Sequence, residues 1–297
     1  MFLETVFEPS LIFIHESDWE DEYRRDQFLK TLISFCNVID KYKFTKIYWN
    51  QELDAILWTD PVLPPWRINR DWKLKIIPTL YRTIKSNSID LVFPDNLDIC
   101  QVEPPLMLSI RKDISYIFLK IVHYLITQNK QIYLCLGNNN STNNTYKFSC
   151  NCHDNSLLPI NINNADDWFH HLGVENVCWP NSMKDLDKLV FSIEFTAMHH
   201  IKKKICNKFS FSQEFIKIIS KESIRKKEIL FSITKRLVFN QYEAASDHGL
   251  QDESLNGNEK ERRFRVNREH RIHYEYQADR TIFFTKYFGE GEHDSGL

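Results

Sequence analysis

The stretch from Glu261 to Tyr287, ERRFRVNREHRIHYEYQADRTIFFTKY, decides the fold of the C-terminal third of the chain. Apolar and polar side chains alternate within residues 262–266 and again within 270–276, and an alternation of period two predicts strands of a half-buried sheet. A third run, residues 281–288, is almost wholly aromatic and β-branched. The polar gaps between the runs have the length of hairpin connections. We therefore expect an antiparallel meander with one apolar face and one basic face.

The basic face of this meander carries the candidate chemistry. If the apolar sides of the strands share a core, the open side presents Arg263, Arg265, Arg271 and His273 on neighbouring strands. Arginine keeps its charge at any physiological pH and its planar fork matches a phosphate group. Three fixed cations and one imidazole therefore predict a phosphate-binding surface.

The same residues resemble the RelE/ParE superfamily of bacterial toxins, and within it the YoeB-like ribosome-dependent messenger-RNA endonucleases. Residues 262–266, a short turn and residues 269–274 are similar to the family's basic strand, turn and "HRxxY" strand, and a hydrophobic strand follows. Residues 249–255 lie where these toxins have a loop with a glycine, a catalytic acid and a leucine. The resemblance covers about residues 188–297 and implies a small α+β domain with an antiparallel sheet.

The resemblance also implies roles for individual residues. Arg271 matches the arginine that stabilises the scissile phosphate, and Asp252 or Glu253 matches the carboxylate of the acid loop. The residues expected to contact RNA are Arg263, Arg265, Arg268 and Tyr287. On the open face Arg271 is expected to be exposed and to contribute little to packing.

The chemistry of such a ribonuclease needs no metal and no cofactor. The 2′-hydroxyl of the RNA attacks the phosphate, so the protein supplies a base, an acid and cations for the developing charge, and the products end in a 2′,3′-cyclic phosphate and a 5′-hydroxyl. The sequence departs from the family after its last strand, because the tail lacks the family's terminal tyrosine. His293, beside Asp294, is the first choice for the acid, and His273 is its competitor.

The first two thirds of the chain predict a different architecture, an α/β layer with a mostly parallel sheet. The expected strands are Leu11–Ile14, Lys46–Trp49, Ile89–Phe93 and Gln131–Leu136, and the expected helices are Trp19–Lys41, Asp71–Lys85 and Ile114–Thr127. We place the domain boundary between residues 187 and 188. The second domain is then expected to open with a strand at Leu189–Phe195, followed by helices at Ala197–Cys206 and Glu214–Ser246.

Composition and charge are compatible with these expectations. Residues 190–297 carry 19 basic and 16 acidic side chains, while residues 1–189 carry 19 and 24, so the C-terminal part is the more basic. Seven cysteines without framework spacing favour reduced thiols. Acidic residues lie where a secretion signal would be basic, and apolar runs are interrupted by charge. We expect a cytoplasmic protein without a membrane partner, and an oligomer is compatible with the sequence.

Three hypotheses about function follow. The first is a ribosome-dependent messenger-RNA endonuclease, with residues 1–187 as a regulatory or partner-binding domain that responds to stress or takes part in antiviral defence. The second is a catalytically inactive RelE-like module that binds nucleic acid, the ribosome or a protein partner such as an antitoxin or a defence-complex subunit. The third is a metal nuclease in the N-terminal domain that uses Glu16 and Asp18, although Ser17 and Glu20 at this place have the spacing of a helix capping box.

Overall fold

The computed structural model describes residues 3–58, 70–93, 99–103, 112–137, 146–150, 153–255 and 257–289. The chain divides into two compact units, Met1–Trp168 and Phe169–Leu297. The division lies earlier than the boundary expected at residue 187, because residues 169–187 belong to the second unit. Each unit has its own five-stranded sheet, and the first unit has a second sheet of three strands.

The first unit alternates strands and helices. Its strands are β1 (Leu3–Phe7), β2 (Thr45–Asn50), β3 (Ser88–Leu91), β4 (Gln101–Glu103), β5 (Ile132–Cys135), β6 (Lys147–Cys150), β7 (His153–Leu157) and β8 (Ile160–Ile162). Its helices are α1 (Pro9–Ile12), α2 (Glu16–Glu20), α3 (Glu22–Tyr42), α4 (Gln51–Trp58), α5 (Arg70–Asn87) and α6 (Lys112–Thr127). A further helix, α7 (Asp167–Leu172), crosses the division between the units.

The main sheet of the first unit is parallel, which confirms the expected α/β class. Its five strands stand in the order β3-β2-β1-β5-β8, and all four pairings are parallel. Successive residues 47–50 of β2 are all buried, as expected when helices cover both faces of a parallel sheet. A separate antiparallel sheet joins β4, β6 and β7.

The first strand lies elsewhere than the sequence indicated. The segment Leu11–Ile14 was expected to be a strand, but β1 precedes it and Leu11 and Ile12 belong to helix α1. Pro9 is the first residue of this helix, a position where the backbone N–H group that proline lacks would have no partner within the helix. The Glu8 carboxylate accepts the Ser10 N–H group and caps the turn. The expected capping box at Ser17 is also wrong, because the His15 side chain accepts the Ser17 N–H group and caps α2.

The second unit combines helices with a mixed five-stranded sheet. Its helices after α7 are α8 (Val174–Val177), α9 (Leu186–Phe195), a π-helix (Thr196–Ile201), α10 (Gln213–Ile219), α11 (Lys226–Val238) and α12 (Gln241–Ser246). Its strands are β9 (Phe209–Phe211), β10 (Glu253–Leu255), β11 (Asn258–Arg265), β12 (Arg271–Tyr276) and β13 (Ile282–Phe288). The order is β10-β11-β12-β13-β9, antiparallel except for the pair β13 and β9. The expected antiparallel meander is confirmed.

The segment that leads into this sheet differs from the expectation. Leu189–Phe195 was expected to be a strand, but it forms helix α9 and buries Leu189, Ser192 and Ile193 at helical spacing. A short apolar run is compatible with both a strand and a buried helix, so the pattern of this segment does not distinguish between them. The single long helix expected at Glu214–Ser246 is three helices, α10 to α12, and the Glu222 carboxylate accepts the N–H groups of the turn before α11.

A buried carboxyl group follows the central strand of the parallel sheet. Glu8 is 1% exposed, and its carboxylate accepts hydrogen bonds from the Ser10 N–H group (3.0 Å) and the Ser10 hydroxyl. Burial raises the pKa of Glu8 to about 7, against hydrogen bonds that lower it. The folded chain therefore holds a proton on Glu8 at pH values where the unfolded chain has released it.

This proton predicts a pH dependence of stability. With a folded pKa of about 7 and an ordinary value of 4.5 in the unfolded chain, the contribution of Glu8 is complete below pH 4.5 and is lost as the pH rises through about 7. We expect Glu8→Gln to remove this decline, which amounts to at most about 1.4 kcal/mol per pH unit. Urea unfolding at several pH values measures it, with Glu52→Gln, an exposed position, as the control. Equal slopes in wild type and Glu8→Gln would contradict the prediction.

Candidate nucleic-acid interface

The strand register of the second unit places one set of side chains on the side away from helix α11. Arg263 pairs with His273 and His273 with Lys286, so these three side chains lie side by side. We call this surface the open face, and its residues other than the buried Arg271, which pairs with Arg265, are Glu261, Arg263, Arg265, His273, Glu275, Phe283, Lys286 and Phe288. All of them are half-buried or exposed.

Cations and aromatic rings are interleaved at the centre of the open face. The His273 ring lies 4.3 Å from the Phe288 ring, and Lys286 Nζ lies 4.9 Å from the centre of the same ring. Lys286 also lies 3.6 Å from an oxygen of Glu214, a pair whose side chains are 44% and 61% exposed. An ion pair of that exposure is weak, so the lysine stays available to another anion.

His273 is a neutral imidazole in this setting. Its Nε2 atom is buried and makes no hydrogen bond within the described residues. Burial and, to a smaller extent, the charges of Arg263 and Lys286 lower the pKa of His273 to about 4. A neutral imidazole keeps one N–H group and offers its other nitrogen as an acceptor, and the expected role of His273 as an alternative acid stays a prediction.

Arg271 is not the exposed arginine that the sequence predicted. The residue is 9% exposed, and its Nη1 atom donates to the carbonyl oxygens of Asn267 (2.7 Å), Arg268 (3.2 Å) and His270 (2.9 Å). These carbonyl groups belong to the turn between β11 and β12, where the carbonyl oxygen of His270 also accepts the Val266 N–H group at 3.0 Å. The guanidinium therefore stabilises the turn and is engaged there.

Asp252 is a buried structural carboxylate instead of an accessible loop acid. Its side chain is fully buried, Oδ2 lies 2.7 Å from Arg236 Nε, and Oδ1 lies 3.1 Å from Arg262 Nε. Tyr274 Oη donates to Oδ2 at 2.8 Å, and burial raises the pKa of Tyr274, which keeps this donor protonated. Two arginines and a phenol thus surround the carboxylate, and RNA has no access to it.

The neighbouring candidates are exposed. Glu253 accepts a hydrogen bond from Arg263 Nε at 2.8 Å, and its side chain is 57% exposed. Arg265 is half-buried, and no carboxylate of the described residues lies within salt-bridge distance of it. Arg268 is exposed on the turn between β11 and β12. The structure therefore brings Arg263 and Arg265 together on the open face, with Arg268 at its end.

Tyr287 lies on the opposite side of the sheet from the expected RNA contacts. It pairs with Ile272, is 5% exposed and stacks on the His270 ring at 5.6 Å. Burial raises the pKa of Tyr287 and keeps its hydroxyl neutral. The expectation of an RNA contact is wrong because residue 287 faces the helices.

The remaining candidates do not form a site in the part of the chain that the structure describes. His293 lies outside the described residues. Asp18 is paired with Arg24, and Glu16 is the first residue of α2. Within the described ranges, no group of three or more His, Cys, Asp or Glu side chains is arranged to hold a metal ion.

Three residues of the open face were missed by the sequence reasoning. Phe283, Lys286 and Phe288 lie in the aromatic run, whose strict alternation would place residues 284, 286 and 288 on one side. A bulge shifts the register between His273 and Tyr274, so Phe284 faces the helices while Lys286 faces outward. No signal in the run itself marks this bulge.

Comparison of the chain with known protein families, curated proteins and solved structures gives no match. No helix of the described residues is long and apolar enough to cross a membrane. The assignment of a function therefore depends on the geometry of the open face and on the resemblance stated above.

The burial of Asp252 predicts a large effect on stability. Asp252→Ala leaves Arg236 and Arg262 buried without their counter-charge, and we expect it to lower the free energy of unfolding by about 3–5 kcal/mol. Glu253→Ala changes the residue next to Asp252 and removes only an exposed ion pair, so it should lower the free energy of unfolding by less than about 1 kcal/mol. Urea unfolding of both variants tests the contrast. Equal losses would mean that Asp252 is not the counter-charge on which the unit depends.

Proposed function

We propose that the second unit binds single-stranded RNA on the open face of its sheet. The observation that carries this proposal is the interleaving of Arg263, Arg265 and Lys286 with the half-buried rings of Phe283 and Phe288. Cations attract the phosphates of the strand, and bases stack on exposed aromatic rings of a sheet whatever their sequence.

The distribution of charge limits where the strand lies. Glu261 and Glu275 pair directly across the strands, so one end of the open face is acidic. Arg265 and Arg271 pair at the other end, beside Phe288. Phosphates are repelled from the first end and attracted to the second, and we place the RNA over Arg265, Lys286 and Phe288.

The open face predicts a salt-dependent affinity that depends on these cations. Arg265→Gln combined with Lys286→Gln should weaken binding of a short uridine-rich RNA and reduce the slope of log affinity against log salt by about 1.4, because each lost phosphate contact on a single strand removes about 0.7. Phe288→Ala should weaken binding roughly tenfold through lost stacking, with little change in this slope. Fluorescence anisotropy from about 50 to about 200 mM salt measures both effects.

The matched control is Lys217→Gln combined with Lys221→Gln, which changes the net charge equally at two exposed lysines of the same unit. An equal loss of RNA affinity and of salt dependence in the control would mean that the RNA is attracted by the overall charge of the protein. That result would reject the open face as the binding site.

A second candidate function is metal-independent, ribosome-dependent cleavage of messenger RNA. One observation favours it: the half-buried imidazole of His273 lies between Arg263 and Lys286 on the open face. Such a group can accept the proton of a 2′-hydroxyl while the cations hold the phosphate. The proton donor on this scheme is His293. The products would be a 2′,3′-cyclic phosphate and a 5′-hydroxyl.

The first unit has a regulatory role in this second candidate. A nuclease that acts on messenger RNA would harm its own cell unless it were controlled, and the parallel α/β unit is the part of the chain outside the RNA-binding sheet. We place the input, a stress or antiviral-defence signal, and a contact with a protein partner on the Met1–Trp168 unit.

Cleavage is tested separately from binding. Added to an in vitro translation reaction, the full chain should cut the transcript, and His273→Gln should slow cutting by a factor of about 100 or more while RNA affinity changes less than about twofold. Glu275→Gln, on the same face of the same strand, is the control and should cut normally. A wild-type chain that binds RNA without cutting it would reject an endonuclease that is active without an input signal, and it would leave the RNA-binding proposal standing.

A further inference from the structure

A pocket of about 520 Å³ lies where the π-helix Thr196–Ile201 ends. Its wall contains three consecutive lysines, residues 202–204, and three apolar residues, Ala197, Met198 and Ile205. Glu194 is the one acidic residue of this lining. None of these residues belongs to the open face, and the RNA-binding proposal does not use them.

The backbone at the end of the π-helix holds the lysines against the pocket. The carbonyl oxygen of Ala197 accepts the N–H groups of Lys202 and of Lys203, the latter at 3.0 Å. Lys202 has a left-handed backbone with φ of 58°, which reverses the chain direction at this residue. π-helical turns are rare and frequently occur at functional sites.

Two of the three lysines are available to a ligand. Lys203 Nζ lies 3.2 Å from an oxygen of Glu243 and 4.5 Å from the centre of the Phe239 ring, so this lysine has partners within the unit, although the ion pair is exposed and weak. Lys202 and Lys204 are exposed, and no carboxylate of the described residues forms a salt bridge with either of them. The lining therefore carries an excess of positive charge beside an apolar wall, where Met198 is 69% exposed.

We propose that this pocket binds a small organic anion that has one anionic head group and an apolar body. Lys202 and Lys204 bind the head group, and Ala197, Met198 and Ile205 contact the body. The volume lies within the range of ligand pockets, about 300–1,000 Å³. A purely inorganic anion would leave the apolar wall uncovered, and a neutral apolar molecule would leave the lysines without a counter-charge.

The test uses the full chain and a matched pair of fluorescent probes. Anilinonaphthalene sulfonate has an apolar body and one sulfonate, and N-phenylnaphthylamine has the same rings without the charge. We expect the sulfonate to bind saturably at one site per chain. Lys202→Gln combined with Lys204→Gln should weaken the sulfonate roughly tenfold, while the affinity for the neutral probe changes less than about twofold. Met198→Ala should weaken both probes.

The control is again Lys217→Gln combined with Lys221→Gln, which lowers the net charge by the same amount elsewhere in the unit. Thermal unfolding of both double variants should match that of wild type, because the changed lysines are exposed. Equal weakening of the sulfonate in the two double variants would overturn the proposal. Binding that is unsaturable, or unaffected by Lys202 and Lys204, would overturn it as well.

Discussion

The second unit depends on a buried carboxylate and the two arginines that surround it. Asp252 precedes β10, Arg236 comes from α11 and Arg262 from β11, so one ionic cluster joins a helix, a loop and the sheet. Taking three charges out of water is unfavourable, and the cluster is stable only because every partner is present and Tyr274 adds its hydroxyl. A change in any one member therefore affects the position of the others.

This cluster gives the neighbouring arginines of β11 different roles, one structural and one at the surface. Arg262 is held on the helix side by Asp252, so the next residue, Arg263, faces outward beside His273. The pairing of Arg271 with the turn carbonyls fixes the end of the same hairpin. On the open face, Arg263 and Lys286 have exposed partners in Glu253 and Glu214, and Arg265 has no carboxylate partner among the described residues. The basic run of the sequence thus separates into two groups with different roles.

The open face and the lysine pocket represent two different ways of binding an anion. On the sheet, cations and rings lie side by side over several strands, an arrangement suited to an extended polymer of phosphates and bases. In the pocket of about 520 Å³, two exposed lysines lie beside an apolar wall, an arrangement suited to a compact molecule. Both surfaces belong to the second unit, and their lining residues are distinct.

The sequence by itself determined the α/β class of the first unit, the meander of the second and the outward side of Arg263 and Arg265, because hydrophobic periods are local. The same alternation also indicates the buried cluster. It places Arg262 on the inward side of the strand with Phe264, and an inward arginine needs a buried partner. Only the tertiary structure decided that the partner is Asp252, that α9 is a helix, and that a bulge turns Lys286 outward. Each of these depends on contacts between residues distant in sequence, which no local period records.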